Sequence, residues 1–297
     1  GAEYNFEGLK DVILGYDRHF KQDVRIGSFF FQNEWRSERL NFLVGGRVDK
    51  HNMMKNAVFS PRVNVRYSPT EKIGLRASYS SGYHAPQAYN EDLHIDALDN
   101  KVAIIRLAPD LKPEYSHSLS ASVDLYHNFG RVQANLLVEG FYTMLEDVFT
   151  LEKIGEDAQG NIIKERRNAS GATVAGVGAE AKAGIPGRFE LQLGYTFQRS
   201  RYDEPEKWSD DVTPQRRMFR SPDHYGHLTA NVNLTRDFTA SVFGNYTGRM
   251  LVQHNAGYIE RDTERLTPDF WDMGLRLSYN FRLTKQLRLE LNAGVKN

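Results

Sequence analysis

The chain contains no cysteine among its 297 residues. This absence excludes a disulfide scaffold, a cysteine-ligated zinc or iron–sulfur site and a thiol nucleophile. The 38 basic and 38 acidic side chains cancel, so no net positive charge is available to attract nucleic acid. The mean hydropathy is -0.57, and no apolar run approaches the ~18 residues that a membrane-spanning helix needs. Nucleic-acid-binding proteins and helical membrane proteins are therefore excluded.

Apolar and polar residues alternate along much of the chain. Hydrophobic residues make up 40% and aromatic residues 12% of the chain, which is typical of a folded protein. Residues two apart in a strand share a face, and in 271–281 the side chains of Met273, Leu275 and Leu277 fall on one side. The same pattern recurs in 26–36, 39–49, 61–67, 72–82, 117–126, 131–142, 173–184, 189–199, 227–235, 238–248 and 286–297. It predicts an all-β protein of about twelve strands.

The connections between these segments alternate between short and long. The short ones are 37–38, 68–71, 127–130, 185–188, 236–237 and 282–285, and the long ones are roughly 50–60, 83–114, 143–172, 200–224 and 250–269. Tight turns on one rim and extended loops on the other are typical of outer-membrane barrels. Most segments also approach the length that a tilted strand needs to cross the hydrocarbon, and aromatic residues lie near their ends. The pattern predicts a transmembrane antiparallel β-barrel.

If the apolar face meets lipid, the opposite face lines a lumen filled by water or by a polar plug. A dry core would not tolerate the mixed charges found there, because an unpaired buried charge costs several kcal/mol. The residues predicted to face the lumen or the plug are Arg47, Arg66, Arg76, Asp124, Glu139, Glu180, Arg276, Arg288 and Glu290.

Four motifs resemble those of TonB-dependent outer-membrane receptors. Residues 82–86 read Gly-Tyr-His-Ala-Pro, similar to the family's G-[FY]-R-A-P box, with His84 where the family usually has Arg. Residues 108–114 resemble its NPNLKPE motif, with Ala in place of the first Asn. The stretch 167–180 is similar to its N…GVELE motif, and 294–297 match the GVKN that precedes a final turn and last strand.

The resemblance implies a 22-stranded barrel around an N-terminal plug domain. About twelve strands ending at 294–297 would be its C-terminal part without the last strand. We therefore expect 1–297 to be one partial barrel domain, cut at both ends, with the plug domain and the TonB-binding box absent. An open sheet would leave unsatisfied edge groups in lipid, which agrees with a truncated chain or a larger assembly.

The function implied by the resemblance is active import across the outer membrane of a Gram-negative bacterium. The loops and lumen would bind a scarce ligand, namely a ferric siderophore, cobalamin or haem, and TonB would open the path by pulling the plug domain. The implied partners are the TonB complex, this metal chelate or cobalamin, outer-membrane lipid and a surface lipoprotein; neither nucleic acid nor a cofactor is expected. An oligosaccharide importer, a passive porin and an adhesion barrel remain alternatives.

Enzymatic motifs are scarce. Residues 176–181 imitate the GxGxxA dinucleotide fingerprint, but alternation continues where a helix should follow, which favours a strand with small residues. Walker, HExxH and GxSxG patterns are absent from the sequence. Residues 157–161 have a turn composition with too few carboxylates for an EF-hand calcium loop. We therefore predict no catalytic residue.

Two groups of loop residues are candidates for ligand binding. The first comprises Tyr83, His84, Gln87, Tyr89, Asn90, Glu91, Asp92 and His94. His94 lies between the two boxes, where haem receptors of this family place a ligating histidine, although a solvated loop histidine is the favoured interpretation. The second, basic and aromatic, comprises Trp208, Arg216, Arg217, Arg220 and His224. It could hold an anionic ligand through charge-assisted hydrogen bonds.

Overall fold

The computed structural model describes residues 1–14, 18–89, 96–98 and 101–297. The strands are β1 (Ala2–Ile13), β2 (Arg18–Arg36), β3 (Leu40–His51), β4 (Val58–Thr70), β5 (Ile73–His84), β6 (Asp96–Leu98), β7 (Lys101–Leu107), β8 (Glu114–Phe129), β9 (Val132–Glu146), β10 (Phe149–Glu156), β11 (Ile162–Asn168), β12 (Gly171–Ile185), β13 (Phe189–Glu206), β14 (Gln215–Arg217), β15 (His224–Asn233), β16 (Phe238–Thr247), β17 (Leu251–His254), β18 (Thr263–Leu266), β19 (Phe270–Arg282) and β20 (Arg288–Lys296). No helix in this part of the chain is long and apolar enough to cross a bilayer.

The main sheet is an antiparallel meander. Its order is β1-β2-β3-β4-β5-β8-β9-β12-β13-β15-β16-β19-β20, with β14 added beside β13. The prediction of an all-β antiparallel fold is confirmed, and each of the twelve predicted segments overlaps one strand of this order, with ends that differ by up to two residues where the prediction runs past the strand. The sheet is not closed into a barrel, because β1 and β20 are its two edges.

One strand of the meander, β1, escaped the sequence analysis because its alternation is interrupted at Leu9 and Lys10. The register pairs Glu3 with Ser28 and Leu9 with Gln22, so Leu9 lies on the polar face. The start of β2 was missed as well, and its second half fits the pattern poorly since Phe30 also lies on the polar face. The guanidinium of Arg47 lies 5.9 Å from the centre of the Phe30 ring.

The two faces of the sheet differ in character. Large apolar side chains line one face and stand exposed, among them Leu193, Tyr195 and Met273. An apolar surface of this extent marks a face that meets another apolar phase. The buried apolar clusters are small and lie near the long connections, as in the group of Val148 and Tyr202. The sheet thus has little dry core of its own, as expected for a barrel wall.

The connections segregate by length, as the sequence indicates. The short-turn rim consists of 37–39, 71–72, 130–131, 186–188, 234–237 and 283–287, and the long-loop rim of 52–57, 85–113, 147–170, 207–223 and 248–269. Only 14–17, between β1 and β2, is a short link at the long-loop rim. Strands within the long loops form a sheet of order β10-β11-β7-β6 and a β17-β18 hairpin. Loop-borne strands therefore form a layer of their own at this rim.

Aromatic rings on the polar face lie over glycines of neighbouring strands. The cross-strand partners are Phe141 and Gly176, His227 and Gly194, and Phe243 and Gly274. A Cβ placed at each glycine would overlap the ring opposite it. Glycine normally weakens a strand, and a ring covering it restores packing. Residues 176–181 are accordingly part of β12, which confirms the strand interpretation of the GxGxxA-like stretch.

We expect Gly274→Val to lower the free energy of unfolding by about 1–3 kcal/mol, because the new side chain would overlap the Phe243 ring. Adding Phe243→Ala should recover part of this loss. Gly27→Val is the matched control, since a Cβ at Gly27 meets no atom within 4 Å. The measurement is urea unfolding of the full-length protein. The folded fraction is read from SDS gels as the band whose mobility changes when the sample is heated. Equal stability of the Gly274 and Gly27 variants would contradict the prediction.

Candidate ligand-binding site at the long-loop rim

The segment that follows β5 is held by side chains from two other strands. The Gln22 amide donates from Nε2 to the Ala88 carbonyl at 3.2 Å, and its Oε1 accepts from the Ala88 N–H at 2.9 Å. His51 is only 1% exposed. Its Nδ1 accepts from the Met53 N–H at 3.1 Å, which leaves Nε2 to donate to Gln87 Oε1 at 3.0 Å. These bonds fix the base of the connection 85–113, which we call the first long loop; the connection 147–170 is the second.

Tyr83 and His84 end β5 and contact neighbouring elements. Tyr83 packs against the buried cluster of Met54, Val58 and Ala85. The His84 ring centre lies 4.1 Å from that of Tyr89 and 5.3 Å from that of Phe149, the first residue of β10. His84, at the position where the family motif has Arg, therefore joins the first long loop to the second.

Asn168, at the end of β11, ties the same two loops together. Its Oδ1 accepts from the Lys112 N–H at 2.8 Å, while its Nδ2 donates to the carbonyls of Lys112 at 3.1 Å and Asp147 at 2.7 Å. Parallel pairing of β11 with β7 continues the connection, with Ile162 opposite Ala103. Two insertions far apart in sequence thus form one layer, which we call the loop layer (85–89, 96–98, 101–113 and 147–170).

Four residues of the first candidate group, Asn90, Glu91, Asp92 and His94, lie outside the described residues. Their proposed roles, including haem ligation by His94, stay predictions. Across the described ranges, no group of three His, Asp or Glu side chains is placed to hold a metal ion.

The turn at 157–161 is held by its own hydrogen bonds. Asp157 accepts from the N–H groups of Gln159 and Asn161 at 2.9 and 2.7 Å, and from Asn161 Nδ2 at 2.8 Å. The Asn161 side-chain donor is the main cause of the lowered pKa of Asp157. The Asp157 carboxylate therefore serves as the cap of a tight turn.

The second candidate group is only partly brought together. Trp208 is 4% exposed and packs inside its loop. Arg220 is exposed, has a positive φ of 55°, and donates its N–H to the Leu251 carbonyl at 2.9 Å. His224 lies on the apolar face, where its Nδ1 is 2.6 Å from the Tyr195 hydroxyl. These three side chains do not share one surface.

Arg216 and Arg217, by contrast, are neighbours on β14. Arg216 Nη2 lies 3.7 Å from Glu204 Oε2, and Arg217 Nη2 lies 3.3 Å from Asp223 Oδ2. Both line a cavity of about 240 Å³, which we call the arginine cavity. Its lining consists of Arg199, Ser200, Arg201, Arg216, Arg217 and Asp223. The two arginines of β13 were missed from sequence because Arg199 is the last residue of the predicted segment 189–199 and Arg201 lies in the predicted long connection 200–224, whereas β13 continues to Glu206.

The nine residues predicted to line the lumen share one face of the main sheet. Following the register from strand to strand places Arg47, Arg66, Arg76, Asp124, Glu139, Glu180, Arg276, Arg288 and Glu290 on the face opposite the exposed apolar side chains. Contact of this face with a plug domain stays a prediction.

Asp124 is the centre of a network on this polar face. It is 5% exposed, and its Oδ2 accepts from Arg76 Nη2 at 3.3 Å and from the Tyr126 hydroxyl at 2.8 Å. Its Oδ1 accepts from Asn135 Nδ2. A buried carboxylate is tolerated here because both of its oxygens accept hydrogen bonds and one of these donors is the guanidinium of Arg76.

We expect Asn168→Ala to loosen the loop layer, because it leaves the Lys112 N–H and two carbonyls without their partner at a cost of about 1–3 kcal/mol. Asn168→Asp should have a smaller effect, since it keeps the acceptor for Lys112. Hydrogen exchange at 108–114 and 147–156 should accelerate in both variants. Asn128→Ala, at the opposite rim, is the control, and unchanged exchange in Asn168→Ala would refute this role.

Burial raises the pKa of the Glu264 carboxyl on β18. The nearby side chains of Trp208 and Gln215 act in the opposite direction and offset part of this rise. An acid with a raised folded-state pKa contributes stability that is fully present below its unfolded pKa and is lost as pH rises through the folded value. In a Trp35→Phe/Trp271→Phe background, Trp208 emission should therefore shift towards the exposed value as pH rises above about 4.5. Glu264→Gln should abolish the transition, and its persistence would assign it to another group.

Comparison with known proteins places this geometry in a family. The profile described as TonB dependent receptor-like, beta-barrel, matches residues 1–297. Among curated proteins, no sequence matches this chain. Among solved structures, the siderophore receptor PirA from Pseudomonas aeruginosa superposes with a TM-score of 0.70 at 15% identity, covering 100% of this chain and 48% of that one.

Two further structures agree. The ferric enterobactin receptor PfeA from P. aeruginosa, in complex with BCV-L6, gives a TM-score of 0.69 at 18% identity, over 100% of this chain and 45% of that one. PirA from Acinetobacter baumannii gives 0.64 at 16% identity, over 93% and 42%. The chain thus spans less than half the length of these three receptors, with which it shares the fold. Because the profile covers every residue, the chain belongs to the family of TonB-dependent receptor-like β-barrels.

Proposed function

We propose that this chain forms part of the barrel of an outer-membrane receptor that binds a ferric siderophore and imports it with energy supplied through TonB. The observation that carries the proposal is the family profile over residues 1–297. PirA and PfeA, which share the fold, are a siderophore receptor and a ferric enterobactin receptor. The exposed apolar face of the sheet supports a location in the outer membrane of a Gram-negative bacterium.

The exposed arginines at the long-loop rim favour an anionic chelate as the ligand over a neutral molecule. Arg220 is exposed, and Arg216 is half-exposed with Glu204 as a loose partner at 3.7 Å. Guanidinium groups bind carboxylate and other anionic oxygens through charge-assisted hydrogen bonds. An oligosaccharide, by contrast, would be held by neutral hydrogen bonds and aromatic stacking. Cobalamin and haem remain the alternative ligands for this rim.

The loop layer supports a capture step that involves more than one loop. His84 and Asn168 couple the first and second long loops, so a ligand that contacts either one acts on both. In this proposal the loops bind the chelate, the polar face holds a plug domain through networks such as that of Asp124, and TonB pulls on the plug. No covalent bond forms or breaks in the cargo, so the receptor is a transporter and not an enzyme.

Deleting the gene should abolish growth on one ferric siderophore as sole iron source, and the intact gene should restore it. We expect Arg216→Gln/Arg220→Gln to raise the concentration for half-maximal uptake by at least about tenfold, because the loss of even one charge-assisted hydrogen bond, worth about 1.5–3 kcal/mol, corresponds to a factor of about ten or more. Arg236→Gln, in a short turn, is the control.

Removing TonB should stop uptake by every variant. Uptake that persists without TonB would indicate a passive porin and overturn the proposal. A growth defect on oligosaccharides, with all iron sources still used, would indicate the sugar importer instead.

A further inference from the structure

The imidazole of His84 lies between two long loops. His84 is the last residue of β5, and its side chain is exposed. Its ring centre is 4.1 Å from that of Tyr89 in the first long loop, with an angle of 34° between the ring planes. It is 5.3 Å from the ring centre of Phe149 in the second long loop, at an angle of 33°. These angles are closer to stacking than to an edge-on contact.

A carboxylate lies beside His84 in the strand register. Glu114, the first residue of β8, is the cross-strand partner of His84. The Cβ atoms of such partners are about 4.5–5.5 Å apart. Glu114 Oε2 also accepts from the Phe149 N–H at 2.9 Å. One carboxylate therefore holds the start of β10 and faces the position of His84.

The other charged or titratable groups at this joint keep a constant charge near neutral pH. The Arg166 guanidinium on β11 lies 5.9 Å from the centre of the Phe149 ring. The phenol of Tyr202 is close enough to Glu114 to interact with its charge. Arginine and carboxylate side chains stay charged, and phenols stay neutral, between about pH 5 and 8. Among the described residues at the joint, His84 is thus the group whose charge changes in this range.

Protonation of His84 adds attraction at the joint. A cation against an aromatic face shifts an equilibrium by about two- to fivefold at an exposed site, and His84 faces two rings. An imidazolium is also attracted by the Glu114 carboxylate opposite it. Arg166 repels the imidazolium, but this one guanidinium acts against one carboxylate and two ring faces. The sum of these interactions favours the protonated ring.

The joint is therefore stronger when His84 is charged. Because the closed joint stabilises the charged ring, it binds the proton more tightly than an open joint does. A group that gains attraction on protonation contributes stability that is present at low pH and is lost as pH rises through its titration. The G-[FY]-R-A-P motif has arginine at this position, and a guanidinium stays charged at every physiological pH. In this chain, the charge at the same position depends on pH.

We propose that His84 is a pH-responsive joint between the first and second long loops. Its charged ring holds Tyr89 and Phe149 together below about pH 6, and its neutral ring gives up part of this hold above about pH 7. The loop layer is accordingly tighter in acid. The inference concerns the conformation of the loop layer and goes beyond the transport function proposed above. It depends neither on a particular cargo nor on TonB.

The test measures hydrogen exchange of the full-length protein in nanodiscs at about pH 5.5 and about pH 7.5, with every comparison made at one pH. His84→Arg keeps a charge at both values, and His84→Phe keeps an uncharged ring at both. At the lower pH, 85–89 and 147–156 of the wild type should exchange as in His84→Arg, at least about threefold more slowly than in His84→Phe. At the higher pH, the wild type should exchange as His84→Phe does. His127→Phe, at another exposed histidine, whose ring centre is 4.3 Å from that of Phe129, should behave as the wild type.

Glu114→Gln keeps an acceptor for the Phe149 N–H but removes the charge, so it should bring the wild-type ring closer to His84→Phe behaviour at the lower pH. Equal exchange in His84→Arg and His84→Phe at both pH values would overturn the proposal, and so would a wild type that follows the same variant at both. Heat-modifiable mobility confirms that each barrel is folded, and His84→Gln replaces His84→Phe if that variant is not. Because the assay contains neither siderophore nor TonB, its failure would leave the transport proposal untouched.

Discussion

Backbone hydrogen bonding between adjacent strands is the constraint on which this structure depends. Hydrocarbon offers no partner to a peptide N–H or carbonyl, so a chain in lipid has to satisfy each group with another strand. The meander meets this demand by pairing every main strand with its neighbours in the sheet order, from β1 to β20. Alternation then follows automatically, because the pleat turns every second side chain to the opposite face. The outer edges of β1 and β20 are the two strand edges of the main sheet that this pairing leaves open.

The same pleat gathers polar side chains on one face of the sheet, where they bind one another. On this polar face, Asp124 accepts hydrogen bonds from donors on three strands. Glycines on that face accept aromatic rings from the neighbouring strand, as Gly274 does with Phe243, so bulk is conserved where side chains are small. On the apolar face the Phe59 ring likewise lies over Gly46, whereas a Cβ at Gly140 would meet only the Gly176 carbonyl, at 4.0 Å. Whether a small residue is covered therefore depends on its cross-strand neighbours, on either face of the sheet.

The sequence predicts the wall of this molecule better than its rim. Strict alternation identified twelve strands, and failed at β1, where Leu9 and Lys10 exchange faces. The loop layer could not be predicted, since β7 and β11 are brought together by pairing across a long separation and neither alternates over enough residues. Asn168 stood out as part of a motif, but its role depends on Lys112 and Asp147, which only the fold brings near. Arg199 and Arg201 were not singled out because the predicted strand ends at 199, and the cavity that they share with Arg216 and Arg217 forms only when β14 pairs with β13.

The parallel pairing of β7 with β11 has a consequence for how such a rim can change over time. The pairing joins an insertion between β5 and β8 to another between β9 and β12, and Asn168 closes the joint. Either insertion alone would leave a strand edge unpaired at this position. A homologous loop substituted for one of them would therefore have to present an edge that still pairs with the other, so the two loops form one structural unit.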